Sequence, residues 1–335
     1  MPGGAKLDNW KINILNKGEI QMVSISVVVP SYRRTKDLIQ CLKGLDQQKI
    51  PPLEVIVVYR SSDEITENAV KKWMESPAPY VKKATVVSMP GMLAAMKAGS
   101  CAAEGEVIAF TDDDAVPRPE WIERLAVCYQ NPLVGGAGGR DIQPGIKSSG
   151  PDTQVGILTW YGKLIGNHHI GSGAARNVDV LKGVNMSFRS DLLQLPEGLK
   201  GSGAQVHIEV HICLRIRKLG FKLIYDPRIE VDHYPAPRFD ADQRNKIVPE
   251  AVVNAAHNLQ YGILNQRGNF IRTPMRLLYA SLVGDRSVPG LARFSFALLR
   301  KEKAIVRSFV PAQKGLWKGL VRYMKSGSPK EAREV

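Results

Sequence analysis

"SISVVVPSYRRTKDLIQCLKGLDQQKIPPLEVIVVYR" occupies residues 24–60. It opens with a short β-branched run ended by proline, SISVVVP (24–30), which reads as a strand buried on both faces. Thr35 then has the chemistry of a helix N-cap, and Leu38, Leu42 and Leu45 follow along one helical face. LEVIVVY (53–59) is a second buried strand. The unit then repeats. A helix is expected over 63–76 with Ala69, Val70, Trp73 and Met74, a short strand over 84–88, a helix over 91–105 stopped by Gly105, and a strand over 106–111. Strand and helix alternating with short connections predict a parallel sheet covered by helices. Ligands gather at the carboxyl ends of such strands, where Pro30–Tyr32, Tyr59–Arg60 and Asp112–Asp114 fall.

After Asn131 the alternation breaks. LVGGAGGRDI (133–142) has strand character with many glycines, and 143–180 is rich in Gly, Ser and Asn. VLKGVNMSFRSDLL (180–193), a glycine-rich loop GLKGSGAQ (198–205), a helix over 206–220 and a strand over 222–227 follow. Beyond about 240 the chain is helical, basic and punctuated by Pro and Gly.

Composition narrows the class. With 335 residues, 44% of them apolar and 23% charged, the chain can bury a full core and is not a disordered one. The net charge of +14 is concentrated: residues 241–335 hold 17 Lys/Arg against 6 Asp/Glu, or +11. A basic tail behind a near-neutral body suits an anionic surface, lipid or nucleic acid. Cys41, Cys101, Cys128 and Cys213 form no C-x-x-C pair, so reduced thiols in a cytosolic protein are expected. No signal-peptide core and no membrane-spanning apolar stretch is read.

The motifs each carry two readings. In AFTDDDAVPRPEW (109–121), Asp112, Asp113 and Asp114 end a strand, where carboxylates suit Mg²⁺ or Mn²⁺ or instead form an acidic turn ahead of a helix beginning near Pro119. Glu209 stands in the first turn of its helix, near the buried side, as a general base or as a carboxylate paired with Arg215 or Arg217. His233 is a structural histidine or a ligand, and no helical zinc motif is read from His207 and His211. The absence of a P-loop, of G-x-G-x-x-G after the first strand and of G-x-S-x-G argues against ATPase, classical NAD-binding and serine-hydrolase chemistry.

Taken in order, four segments resemble family 2 glycosyltransferases: 24–66, AAMKAGSCAAEGEVIAFTDDDAVPRPEWIERL (94–125), GVNMSFRSDLL (183–193) and VHIEVHICLRIRKLGFKLIYDPRIEVDH (206–233). The resemblance covers roughly 24–238 and implies a GT-A fold, a nucleotide-sugar donor and a divalent metal, Mn²⁺ or Mg²⁺. It implies a catalytic domain over 24–240, with a nucleotide-sugar half (24–130) and an acceptor half (131–240), between an N-terminal extension (1–23) and a basic helical region (241–335). Carried over, Asp112 and Asp114 form the D-x-D pair, with Asp113 able to replace either, and His233 is a further metal or diphosphate contact. Glu209 becomes the base of an inverting transfer, although Ile208 replaces the first acid of the usual Glu-Asp pair. Pro30, Ser31, Tyr32, Arg34, Tyr59, Arg60, Asp112 and Asp113 become donor contacts, and Asn185, Met186 and His207 lie toward the acceptor. Arg33 sits where Asn is frequent, and Tyr59-Arg60 replaces the aspartate that reads the base, so UDP is the default while GDP or dTDP stays open.

The implied acceptor is a glycan or lipid-linked saccharide in cell-surface polysaccharide or glycolipid assembly. In KGLWKGLVRYMKSG (314–327), Lys314, Lys318, Arg322 and Lys325 oppose Leu316, Trp317, Leu320, Val321 and Met324. Such a helix suits an anionic membrane surface, giving a cytoplasmic protein peripheral to the inner face of the cell membrane, or else it packs on the catalytic domain. Two rival readings are a nucleotidyltransferase, which would want glycine in PSYRRTKD (30–37), and a non-catalytic binder of an anionic surface. Nucleic acid is not expected, because basic and aromatic residues do not interleave.

Overall fold

The computed structural model describes residues 22–240, 243 and 246–326, so the expected N-terminal extension lies almost wholly outside the described residues. The first half runs β1 (Ile25–Ser31), α1 (Thr35–Asp46), β2 (Glu54–Arg60), α2 (Glu64–Glu75), β3 (Val81–Val87), α3 (Met92–Ala102) and β4 (Val107–Thr111). A short β5 (Ala115–Pro117), α4 (Trp121–Tyr129) and β6 (Val134–Ile142) follow, then a small hairpin of β7 (Ile157–Leu158) and β8 (Leu164–Ile165). The second half continues with β9 (Arg176–Val178), β10 (Asn185–Arg189), α5 (Ile208–Lys218) and β11 (Lys222–His233). Four helices close the described chain: α6 (Pro249–Arg267), α7 (Arg272–Leu278), α8 (Leu291–Leu299) and α9 (Lys303–Lys325).

The main sheet has the order β3-β2-β1-β4-β10-β6-β11-β5, with β9 on β11. Its first four strands are parallel, as the alternation predicts. Beyond β4 the sheet is mixed, because β10 runs antiparallel between β4 and β6. Side chains alternate across the pleat and sort into two cores. Ile25, Val27, Val29, Val55, Val57, Val107 and Ala109 face α1, α2 and α4. Val28, Ile56, Val58, Ile108 and Phe110 face α3 and α5. This double covering explains why the strands read as continuous apolar runs.

Three local expectations change. Thr35 is the first helical residue rather than the cap, Arg34 holds the cap position, and the Thr35 hydroxyl makes no hydrogen bond. The third strand starts at Val81 rather than 84, its polar Lys82 and Lys83 being tolerated because it is an edge strand. α3 ends at Ala102, and Gly105 instead packs against Ser26, where a Cβ would come within 2.7 Å of the Ser26 nitrogen. The four cysteines form no disulfide.

The C-terminal helices lean on the sheet's second core. α6, buried from Ala256 to Leu264, lies between α5 and α9. Glycines set the spacing on both sides. A Cβ on Gly262 would meet the His211 ring at 2.6 Å, and one on Gly315 would lie 2.3 Å from the Val253 carbonyl oxygen. No helix among the described residues is long and apolar enough to cross a membrane. Gly315→Val should lower stability by about 1–3 kcal/mol through overpacking, read as a lower denaturation midpoint; an unchanged midpoint would contradict the close approach of α6 and α9.

Candidate active site

β4 delivers the aspartates, and a turn closed by the Ala115 N–H donating to the Asp112 carbonyl leads into β5. β5 pairs antiparallel with the end of β11, opposing Ala115 to His233. The chain after β11 then folds over the turn: the Tyr234 N–H donates to the Asp114 carbonyl, and the Ala236 N–H donates to Asp114 Oδ2 at 2.8 Å. Asp113 and Asp114 are buried, whereas Asp112 is partly exposed to the cleft. Asp113 accepts from Ser31 Oγ at 2.8 Å and from Arg34 Nη1 at 2.7 Å, and the same guanidinium lies 3.2 Å from Asp114 Oδ2.

Asp112, Asp114 and His233 each place a ligand atom within 4.8 Å of the others. His233 Nε2 is buried, makes no hydrogen bond and stands 3.5 Å from Asp114 Oδ1, while Nδ1 faces Asp141 Oδ2 at 3.4 Å. Two hard carboxylates and an imidazole backed by a second carboxylate suit Mn²⁺ or Mg²⁺.

Charge within the cluster is divided unequally. Burial, together with Asp114 and Asp112, pushes the Asp113 carboxyl up to about 7, against the pull of Arg34 and Ser31. Asp112 is raised by burial and by Asp114. Burial would raise Asp114 too, but the facing His233 imidazole, the hydrogen bond from the Ala236 amide and nearby Arg34 hold it down at about 2. Asp141 is likewise held near about 2, burial being outweighed by His233, Lys182 and Gln143. Burial opposes a charge on His233, yet Asp114 and Asp141 raise it to about 9.

Asp112, Asp113 and His233 line a cleft of about 480 Å³, within the range of small-molecule sites, with Asp114 and Asp141 buried behind them. Pro30, Ser31, Tyr32, Arg34, Tyr59 and Arg60 line it, as do Met186, His207 and Glu209. Glu209 lies in the first turn of α5, with Oε1 3.9 Å from His207 Nδ1. It is not paired with Arg215 or Arg217, which bond to the Leu192 carbonyl and pair with Asp179. Burial pushes the His207 imidazole below its ordinary value. The approach to α5 is strained: Gln205 and His207 adopt left-handed backbone at φ 44° and 76°. That loop is tied to the start of α3, the Met92 and Leu93 N–H groups donating to the Gly203 carbonyl and to Gln205 Oε1.

Asn185 is a correction. It is fully buried and does not line the cleft. Its Oδ1 accepts from Trp121 Nε1, and its Nδ2 donates to the carbonyls of Arg140 and Ile229, so it ties α4 and β11 to β10. It is a structural residue, not an acceptor contact.

At the end of β2, the Arg60 guanidinium stacks 3.8 Å over the Tyr32 ring and pairs with Asp240 at 2.9 Å. Phe239 meets Tyr32 edge-on. Arg33, at φ 57°, holds a left-handed conformation that Asn adopts readily.

Residues 26–146 match the Glycosyl transferase family 2 profile. That match marks residues 26–146 as a family 2 glycosyltransferase segment. A curated relative, the glucosyl-dolichyl phosphate glucuronosyltransferase of Haloferax volcanii, is 25% identical over 221 residues, 63% of this chain and 69% of the relative. An uncharacterized glycosyltransferase of Haemophilus influenzae is 31% identical over 33% of this chain and 36% of its own. Among solved structures, a mannosyltransferase from Pyrobaculum calidifontis in complex with GDP-Man and Mn²⁺ superposes with a TM-score of 0.57 at 18% identity, covering 91% of this chain and 88% of that one. TarS 1–349 of S. aureus in complex with UDP-GlcNAc gives 0.54 at 16% identity, over 91% and 88%. These likenesses establish the GT-A fold.

Several residues of the glycosyltransferase site escape sequence reading. Asp141 ends β6 as the triplet ends β4, but the surrounding glycines hide that signal. Gln143, Lys182, Gln205, Arg238 and Asp240 reach the cleft from irregular segments that no periodicity marks.

Two predictions test this geometry. Below about pH 9 a cation must displace the His233 proton, so apparent Mn²⁺ affinity should rise about tenfold per pH unit and flatten above about 9. In the metal-free protein the sign reverses: the histidine's stabilising contribution is complete below about 6.5 and is lost as pH rises through about 9. Calorimetric Mn²⁺ titrations across pH check the first, and a pH-independent affinity would remove His233 from the ligand set. Asn185→Leu leaves the Trp121 indole and two carbonyls unsatisfied at about 1–3 kcal/mol each. Its denaturation midpoint should therefore collapse, and a stable variant would refute the structural role.

Proposed function

We propose that this glycosyltransferase moves a sugar from a nucleotide-sugar donor to an acceptor hydroxyl with inversion at the anomeric carbon. The observation that carries this reading is one cleft lined both by Asp112 and His233, whose cluster Asp114 completes, and by Glu209 on the first turn of α5. Asp112, Asp114 and His233 would hold a divalent cation, Mn²⁺ or Mg²⁺, whose charge offsets that gained by the departing nucleoside diphosphate. Glu209 would accept the acceptor hydroxyl's proton as its oxygen forms the bond to the anomeric carbon and the bond to the diphosphate breaks. Asp113, fixed by Ser31 and Arg34, would brace the donor side, and Pro30, Ser31, Tyr32, Tyr59 and Arg60 would surround the nucleoside. His207 and Met186 would face the acceptor.

The domain halves read from the sequence, 24–130 for the donor and 131–240 for the acceptor, are part of this proposal, with His233 reaching the cation from the second half. The solved relatives were captured with GDP-Man and with UDP-GlcNAc, so GDP and UDP are the leading donor nucleotides, with dTDP third. A lipid-linked saccharide acceptor, in glycolipid or surface-polysaccharide assembly, is supported by the curated glucosyl-dolichyl phosphate glucuronosyltransferase. The basic C-terminal charge supports a peripheral position on an anionic membrane face, and the proposal places the protein on the cytoplasmic side.

Calorimetry with UDP, GDP, dTDP and CDP, with Mn²⁺ and with EDTA, tests the donor. One nucleotide should bind tightly, and binding should vanish with EDTA and in Asp114→Ala; metal-independent binding would sink the cluster's role. Glu209→Gln should bind that nucleotide normally yet lose about 10²- to 10⁴-fold in transfer, the usual worth of a general base. Near-normal turnover would overturn the assignment.

A further inference from the structure

The helix expected to meet a membrane, 314–325, packs on α6 along one face only. Ala312, Gly315, Leu316 and Gly319 are buried, and the Arg322 guanidinium lies over the Tyr261 ring, while Trp317, Val321 and Met324 stay exposed. A further exposed apolar surface lies on the elements before it. α8, Leu291–Leu299, is an apolar helix of which Ala297 alone is buried. Phe296 is 62% exposed and Leu299 80%. Beside α8 packs a π-helical turn, Tyr279–Val283, that exposes Leu282 and Val283. Phe294 stacks on Phe309 at 4.4 Å, so α8 is seated on α9 rather than dangling. A water-soluble surface seldom displays contiguous leucine and phenylalanine on this scale without a partner.

Cations frame this patch. Arg293, Arg300, Lys301, Lys303 and Arg307 are exposed, and none of them pairs with a carboxylate among the described residues. Lys301, Lys303 and Arg307 line a shallow notch of about 230 Å³ whose apolar edge is Leu298 and Val306. Three cations around a small concavity suit a phosphate, and aliphatic side chains at its rim suit the start of an acyl chain. A second copy of the chain would bring like charges together, which argues against self-association through this face.

We propose that α8 and the preceding π-helical turn form an interfacial anchor for an anionic lipid bilayer, with a lipid phosphate seated between Lys301, Lys303 and Arg307. This deepens the membrane placement given above and rests on it. The anchor also has a fixed relation to the cleft. Arg276, in the helix before the turn, donates to the Gly162 carbonyl and to Gln260 of α6. It lies, with Asp285, within electrostatic reach of His207 at the acceptor end.

Co-sedimentation of the full chain with phosphatidylcholine vesicles, with and without phosphatidylglycerol, tests the anchor. Wild type should bind the anionic vesicles and lose most of that binding at high salt. Lys301→Glu/Lys303→Glu/Arg307→Glu should abolish the anionic preference, and Phe296→Ser/Leu299→Ser should weaken partitioning by at least about tenfold. Both variants should keep wild-type metal-dependent nucleotide binding, which shows that they are folded. As a second readout, Trp placed at Leu298 should be quenched by brominated phosphatidylglycerol. Four results would overturn the proposal: equal binding to both vesicles, variants that bind like wild type, retention on duplex DNA without vesicle binding, or a dimer that Phe296→Ser/Leu299→Ser dissolves. Failed nucleotide binding with intact vesicle binding would count against the enzymatic reading and leave the anchor standing.

Discussion

Three adjacent carboxylates at the end of a central strand, two of them buried, set the terms for the rest of this molecule. An unpaired buried carboxylate costs several kcal/mol, and three side by side repel as well. The fold answers with cations brought from two directions. Arg34 comes from the turn after β1 and spans Asp113 and Asp114. His233 comes from the end of β11, held on its far side by Asp141. Lys182 adds a third cation 3.7 Å from Asp141, and Arg238 lies within electrostatic reach of Asp112.

That requirement accounts for features that otherwise look arbitrary. The three-residue strand β5 buries little, but it fixes Ala115 opposite His233 and so sets the distance from histidine to triplet. The irregularity in β11 between Asp226 and Glu230 lets the strand change register against β6, so that Asp141 and His233 arrive together. The Ala236 amide, spent on Asp114, draws the following segment over the cleft toward Arg60 and Tyr32. In Tyr32 and Arg60 the glycosyltransferase has a stacked aromatic and guanidinium, an arrangement worth about 1–2 kcal/mol when partly desolvated.

The parallel half of the fold was legible because burial on both faces writes an unmistakable pattern: Val27–Val29 and Val55–Val58 admit few other readings. Asp112 and Asp114 were legible for the same reason, since a strand that ends in acids advertises itself. Glu209 and His233 needed the family's order of motifs, because one carboxylate or one imidazole on an apolar element has several uses. Asn185 misled, as its neighbourhood resembles an acceptor segment while its amide serves three buried groups that are remote in sequence. Asp141 could not be read, because its meaning depends on a strand order that brings β6 beside β11. The tail is legible only in part. An amphipathic pattern reports two chemically distinct faces, but not whether the apolar one meets lipid or protein, and in α9 Gly315, Leu316 and Gly319 pack inward while Trp317, Val321 and Met324 stay exposed.

The stacking of α5, α6 and α9 through glycine contacts has a consequence for how such an enzyme can change over time. α5 carries Glu209 on its first turn and His211 on the face that Gly262 touches, so the helix bearing Glu209 takes part of its support from α6. α6 in turn rests on α9, which seats α8 through Phe309. The tail is thus not an interchangeable appendage to a finished domain. A recombination that replaced everything after β11 would strip one wall from the helix that presents Glu209 to the cleft, so the cleft and the tail would have to be inherited together.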